Sequence, residues 1–344
     1  MSEILTQPVI DESAWTASAL AADGSWIYKL SDEENADLEM AFQLAKRNHR
    51  DYTNITKEDF PLASLGGKLL EIQHYLDECR GIFLLRGIPV ERYTLDEIQL
   101  IYAGIASHMG VLIVQDTKGT LIDHVYDRGL SYDNIAVRGY TTNAELTPHC
   151  DSGDIVMLLC VRPAKSGGEN SFVSSMTIYN EILKQHPEFL DPLYKGFHYN
   201  IRGNGPPGEF VDITQHRVPV YSYHDQKLSC RYNQKAIKTA EQLKGVQSLT
   251  ELEKNAIDYI TELANRKDFR YDLTLASGDI VFLNNHLVLH TRSAFEDYVE
   301  ADRKRLLLRL WVNLHQARQL TWEFADHYNT GPRQGPFVRE STIS

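Results

Sequence analysis

His149-Cys150-Asp151 sets an imidazole and a carboxylate two residues apart. In an extended chain such positions point the same way, so His149 and Asp151 can offer a nitrogen and an oxygen to one metal ion while Cys150 points away. The tripeptide follows Thr147-Pro148 and precedes the apolar run Ile155-Val156-Met157-Leu158-Leu159-Cys160-Val161, which places it at the mouth of a strand. A third ligand must come from elsewhere. The segment GDIVFLNNHLVLH, ending at His290, supplies two more imidazoles, His286 and His290, which share a face with Val288 if the segment is a strand. HxxxH is also the spacing of a zinc-protease helix. Here Leu287 stands where that helix carries its glutamate, and the Asn284-Asn285 pair and β-rich surroundings disfavour a helix. Two imidazoles and one carboxylate, with three positions left open, form the facial triad of non-haem Fe(II) oxygen chemistry.

Arg303 to Trp311, RKRLLLRLW, carries a second signal. As a strand it turns Arg305, Leu307, Arg309 and Trp311 one way and Leu306, Leu308, Leu310 and Val312 the other, into a core. The plain reading is a solvated edge strand whose charges block unwanted pairing. The functional reading is a guanidinium that grips a carboxylate with two parallel hydrogen bonds. Candidate pocket residues are Asn143, six positions before His149, Gln115, beyond the Gly110 turn, and Arg231 in Ser229-Cys230-Arg231-Tyr232-Asn233. Turn, strand-end and surface roles compete for each of them. Arg309 on the same face suits a carboxylate, sulfonate or sulfate.

The elements that must hold these groups are legible in outline. Ser31/Glu34, Thr94/Glu97 and Thr250/Glu253 have capping-box spacing and open helices. The first runs to about Ala45 and the second to about His108. A further helix fits Lys68 to Cys79, and another Met176 to Gln185. A short buried strand follows at Ile82 to Leu85. From Val111 the chain reads as short strands broken by Gly, Asp, Asn and Pro. Strand signals fall at Phe197 to Ile201, Val218 to Tyr223, Lys227 to Tyr232, Tyr271 to Leu275, Asp279 to Leu283, Leu287 to His290 and Arg305 to Leu314. The first thirty residues are expected to wrap a surface or an edge. Helices gathered at the start and in insertions, with many short strands, favour an α+β fold with a jelly roll or barrel over alternating βαβ units. One domain spanning 1–344 is expected, mainly helical to about 110 and a β core over about 111–315. The turn-rich loop Gly203 to Gly208 has the composition of a lid.

Composition narrows the class further. The 344 residues hold 35 Lys and Arg against 47 Asp and Glu, a net charge of −12, with 42% apolar residues. That is globular composition, and no apolar run approaches the ~20 residues of a membrane-spanning helix. An acidic chain without a basic block is a poor nucleic-acid binder. Cys79, Cys150, Cys160 and Cys230 are scattered without a CxxC pair, so neither a disulfide scaffold nor a thiolate zinc site is expected. No basic stretch followed by an apolar one opens the chain, so a cytoplasmic location is expected. The partner is a small molecule, and a homo-oligomer is compatible with the sequence.

TPHCDSGD, KSGGENSFVSS, GDIVFLNNHLVLHTRSAFED and RKRLLLRLW occur in this order over about Asn143 to Trp311, and GIFLLRGIP lies near Gly81. Together they resemble the taurine dioxygenase/TfdA-like family of Fe(II)- and 2-oxoglutarate-dependent oxygenases. The resemblance implies a distorted double-stranded β-helix of the clavaminate synthase-like kind, flanked by helices. It also implies Fe(II), with 2-oxoglutarate and O2 as cosubstrates. His149, Asp151 and His290 would be the metal triad, with His290 preferred to His286 because the family's distal ligand precedes the xRxxFED segment. Arg305 matches the arginine that anchors the distal carboxylate of 2-oxoglutarate. Arg309 matches a second arginine, which meets the substrate anion in the family's namesake. Many members read GGDT or GGET where this chain reads Gly167-Gly168-Glu169-Asn170, so Asn170 or Ser171 would supply the missing threonine contact. Halogenating relatives replace the metal carboxylate with a small residue, and Asp151 disfavours that outcome. Oxidation of an unactivated C–H bond in a small polar, anionic or amino-acid-like substrate is expected, with release of succinate and CO2. Hydroxylation is the default, and desaturation or cyclisation share its start. Two other readings compete: a cupin-like Zn or Mn isomerase or hydrolase, and a non-catalytic binding protein.

Overall fold

The computed structural model describes residues 3–133 and 137–339. The chain first lays down α1 (Ala17–Ala22), β1 (Ile27–Lys29), α2 (Asp32–Arg47), α3 (Leu65–Glu78), β2 (Ile82–Arg86) and α4 (Leu95–Ser107). Next come β3 (Gly110–Ile113), β4 (Ile122–Val125), β5 (Ile155–Arg162), β6 (Ser166–Gly167), β7 (Asn170–Ser174), α5 (Ser175–Gln185) and α6 (Leu190–Lys195). The last third carries β8 (Tyr221–His224), β9 (Lys227–Cys230), α7 (Gln234–Ala240), α8 (Glu251–Asn265) and β10 (Tyr271–Leu273). It ends with β11 (Ile280–Asn284), β12 (Val288–Arg292), β13 (Phe295–Glu296), β14 (Leu306–Leu314) and α9 (Trp322–Ala325).

The three capping boxes form as the spacing requires. Each Ser or Thr oxygen accepts from the third helical amide and each Glu returns to the cap, which fixes the starts of α2, α4 and α8. The main sheet runs β1-β2-β11-β5-β14-β3, with β4 also paired to β14. Only the β1–β2 pair is parallel. The opening thirty residues therefore do end on a sheet edge, and the helical first part donates two strands to the main sheet. A smaller antiparallel sheet, β10-β7-β12, faces it. Its far edge is extended by His149, bridged to His290 on one side and Asn233 on the other.

Both faces of the main sheet are covered, which is why β5 reads as an unbroken apolar run. Ile155, Met157, Leu159 and Val161 join Leu306, Leu308, Leu310 and Val312 in a core roofed by α2, α3 and α4. Val156, Leu158, Cys160, Leu307 and Trp311 face the other way, into the core shared with the small sheet, α5 and α8. The alternation expected for β14 is thus the one observed, and Arg305 and Arg309 fall on the inner side with Leu307 and Trp311.

One expected strand does not form. Phe197 bridges Val218 while Asn200 bridges Ile213, so residues 197–201 change partner within four residues and build no ladder. No helix among the described residues is long and apolar enough to cross a membrane. All four cysteines are unpaired.

Candidate active site

His149 and His290 are direct partners across an antiparallel bridge. The amide of each donates to the carbonyl of the other, at 3.0 and 2.9 Å. Paired residues point to the same side of a sheet, so the two rings meet with centroids 4.4 Å apart. Asp151 follows two residues later, its amide donating to Asn285 Oδ1 at 3.1 Å. Asn285 is itself held by the carbonyls of Ser152 and Gly153. Ligand atoms of His149, Asp151 and His290 all lie within 4.8 Å of one another.

These three residues fit a divalent cation. His149 Nδ1 lies 2.8 Å from the Thr147 carbonyl, which sets the tautomer and frees Nε2 for a metal. Burial, then the neighbouring His149, pushes His290 down to about 3, and burial also lowers His149, so both rings are neutral as ligands must be. Burial opposes the charge of Asp151, but the Arg309 guanidinium leads the groups that outweigh it and hold its carboxyl below the usual range. His290 Nδ1 is buried without a hydrogen-bond partner among the described residues. Two neutral nitrogens and one ionised carboxylate beside an open cavity are the donor set of the facial triad.

His286 is elsewhere. Its Nε2 lies 3.0 Å from Asp154 Oδ1, which also pairs with Arg333, and burial pushes the ring down to about 4. It packs the fold together behind the site.

The inner face of β14 supplies the cavity's cationic wall. Arg305 is 3% exposed, and its Nη1 is buried without a hydrogen-bond partner among the described residues. Burial pushes it to about 10. A guanidinium that burial penalises and no carboxylate grips suits an incoming anion. Arg292 stands beside it, two residues past His290 on the same face of β12. Its Nη2 donates to the Thr142 and Ala144 carbonyls, while its Nη1 is also buried and unpartnered among the described residues. Both guanidinium groups stack on Phe295, at 4.7 and 5.0 Å. Gly168, at φ +75°, passes close by, and a Cβ there would lie 3.3 Å from the Phe295 Cβ.

Asn170 pairs with Arg292 and lines the cavity, whereas Ser171 pairs with Thr291 and does not line it. Strand alternation separates the two. Arg309 lines the cavity and Gln115 does not. Arg309 Nη1 lies 3.2 Å from both oxygens of Asp151, its Nε donates to Gln115 Oε1 at 2.8 Å, and Nη2 lies 3.6 Å from Asp123. Gln115 is fully buried outside the cavity lining, and its amide donates to the Arg309 and Leu121 carbonyls. The pair braces the Asp151 carboxylate. Asn143 is exposed and outside the lining, and its carbonyl accepts from the Phe295 amide. Arg231 does line the cavity, 7% exposed.

Sequence reasoning missed several lining residues. Arg292 was within reach, since period two from His290 leads to it. Arg202, His327 and Tyr328 carried no local signal, because loops far along the chain bring them in.

Comparison with known proteins agrees with this geometry. FR-33289 synthase of Streptomyces rubellomurinus is 31% identical over 330 residues, covering 95% of this chain and 96% of that protein. Among solved structures, asparagine oxygenase in complex with Fe(II), 2S,3S-3-hydroxyasparagine and succinate superposes with a TM-score of 0.65 at 17% identity, covering 84% of this chain and 93% of that one. The non-haem iron oxygenase OrfP in complex with Fe and alpha-ketoglutaric acid gives 0.60 at 13% identity, covering 83% and 94%. The family described as taurine catabolism dioxygenase TauD, TfdA family matches residues 48–311, and the chain belongs to it.

Proposed function

We propose that this protein is an Fe(II)- and 2-oxoglutarate-dependent dioxygenase that oxidises an unactivated C–H bond of a small polar, anionic or amino-acid-like substrate. Hydroxylation is its default outcome. The observation that carries the site assignment is the joint presence, in one cavity, of the His149, Asp151 and His290 donor set and the buried, ungripped guanidinium of Arg305. An isomerase or hydrolase of cupin type has no use for the second feature.

Iron bound by the triad would supply the centre at which O2 and 2-oxoglutarate become succinate, CO2 and the oxygen delivered to substrate. The chain's own groups bind and aim the reactants. Arg305 takes the distal carboxylate of 2-oxoglutarate, with Arg292 and Asn170 as further donors. Leu158 and Leu307 line the cavity nearby and keep water from the cosubstrate's methylenes. Arg309 and Gln115 hold Asp151 at one angle, and Asn285 fixes its backbone. Held this way, the reactants lose orientational freedom before the reaction instead of during it. We infer that the whole chain works as one domain, because strands from its helical first part complete the main sheet. Four free thiols suit a reducing, cytoplasmic setting.

The test is anaerobic addition of Fe(II) and 2-oxoglutarate to apoprotein. A weak visible charge-transfer band is expected in the wild type and a weaker one in Arg305→Ala. Bound iron with no band would overturn the assignment.

A further inference from the structure

Arg138 ties together two segments that lie far apart in the chain. It lines the cavity from the stretch between β4 and β5. Its Nη1 donates to the Gln115 carbonyl at 2.8 Å and its Nη2 to Asn204 Oδ1 at 3.0 Å. A guanidinium presents its N–H groups in a rigid planar fork, so one side chain can fix two acceptors at once. An ammonium on a flexible stem is a point donor and cannot.

The Gln115 side of this join is stiff. The Gln115 amide donates to the Thr120 carbonyl at 2.8 Å, and the Asp116 carboxylate accepts from the Lys118 and Thr120 amides at 2.9 and 3.1 Å. Burial opposes the charge of Asp116, but hydrogen bonds led by the Thr120 amide, with the Arg138 guanidinium nearby, hold its carboxyl below the usual range. The Gln115 side chain in turn grips Arg309, which lies on Asp151. A second route leads from Arg138 to the same guanidinium. The Thr141 amide and hydroxyl donate to the Arg138 carbonyl at 3.1 and 2.7 Å and close the short turn Gly139–Thr141. The ring of Tyr140 in that turn lies 4.5 Å from the Arg309 guanidinium.

The Asn204 side is a wall of the cavity, shared with Tyr199, Asn200 and Ile201. Residues 197–201 build no ladder, so single hydrogen bonds set the position of this wall. The Ile201 amide donates to Asp212 at 2.7 Å, the Asn204 amide to Ile201 at 3.0 Å and the Gly205 amide to Val211 at 3.1 Å. Arg138 adds the link that runs inward. Asn204, Arg138, Gln115, Arg309 and Asp151 thus form an unbroken chain of contacts from the wall to the carboxylate.

We propose that Arg138 is a positioning residue that holds the 199–205 wall of the cavity against the brace on Asp151, so that wall and carboxylate are set together. The metal in the test below rests on the dioxygenase reading, while the join itself does not. Coupling of this kind is reciprocal. Metal at the triad must slow opening of the wall by the same factor by which the intact wall tightens metal binding.

The test is anaerobic hydrogen exchange on the full chain with and without Fe(II), in wild type and Arg138→Gln, paired with calorimetric titration of Fe(II). In wild type, Fe(II) is expected to slow exchange of the Ile201, Asn204 and Gly205 amides about threefold or more, the low end of what members of one hydrogen-bond network exchange. In Arg138→Gln, Fe(II) is expected to bind more weakly by a similar factor and to leave those amides unaffected. Arg138→Lys is expected to fall between the two proteins, and it makes the same comparison if Arg138→Gln does not fold. A merely structural role would speed exchange in the wall equally with and without metal and leave Fe(II) affinity at the wild-type value. That result, or a wild-type wall indifferent to Fe(II), overturns the proposal. If Fe(II) binds but no charge-transfer band forms with 2-oxoglutarate, the dioxygenase reading fails, and the exchange comparison still decides the role of Arg138.

Discussion

Replacing Arg309 with Gln separates two roles that its position on β14 allows. In the structure its Nη1 spans both oxygens of Asp151 at 3.2 Å, and Gln115 and Asp123 hold its other nitrogens. Hydrogen bonds to a charged group contribute about 1.5–3 kcal/mol each. Losing that support for one metal ligand, at about 1.4 kcal/mol per decade, predicts Fe(II) affinity weaker by about 10- to 100-fold. Residues that orient metal ligands commonly cost this much when lost. Affinity for 2-oxoglutarate at saturating metal should change less than about threefold, since Arg305 is intact. Anaerobic titration of apoprotein with Fe(II), followed by titration with 2-oxoglutarate, reads both quantities. Unchanged metal affinity together with a raised KM for the primary substrate would refute the bracing role and return Arg309 to the substrate's anion.

Asn170→Ala should raise the KM for 2-oxoglutarate several-fold while Ser171→Ala leaves it alone, because only Asn170 shares the cavity face with His290 and Arg292; steady-state kinetics on both variants decides. Gly168→Ala puts a Cβ 3.3 Å from the Cβ of Phe295, the ring beneath Arg305, at φ +75°, so a stability loss of about 1 kcal/mol and weaker 2-oxoglutarate binding are expected together, read by denaturant melts and the charge-transfer titration. His286 is held near pH 4 by burial, so it stays neutral in the fold while the unfolded chain takes up a proton below ~6.5. Its share of stability is complete above that pH and is lost as pH falls from ~6.5 towards 4. Thermal melts of the apoprotein should therefore drop across this window, and the drop should be shallower in His286→Phe.

Local rules carried most of the fold. Capping boxes fixed three helix starts, and period-two alternation sorted the inner and outer faces of β14. They failed where partners are distant. Residues 197–201 have strand composition, but their bridges go to two different segments, and no local pattern encodes that. At the site, spacing and resemblance together pointed to three residues whose ligand atoms the structure brings within 4.8 Å of one another. They did not point to the bracing of Asp151, because Gln115 and Arg309 lie 194 residues apart. Asn143 and Ser171 suit a pocket by type, and only the structure shows that neither is among the cavity's lining residues.

The last described residues have a consequence for how this enzyme diverges. The family match stops at residue 311, yet His327 and Tyr328 close the cavity from beyond it, clasped to Ser152. Arg318 and Arg333 fasten that tail to Asp77 and Asp154. The His149, Asp151 and His290 cluster thus sits at the sheets, whereas this part of the cavity lining comes from the tail. Substitutions in the tail can therefore reshape the cavity without touching that cluster. Exchanging that tail is therefore a route to changing what the cavity admits while the three clustered side chains stay as they are.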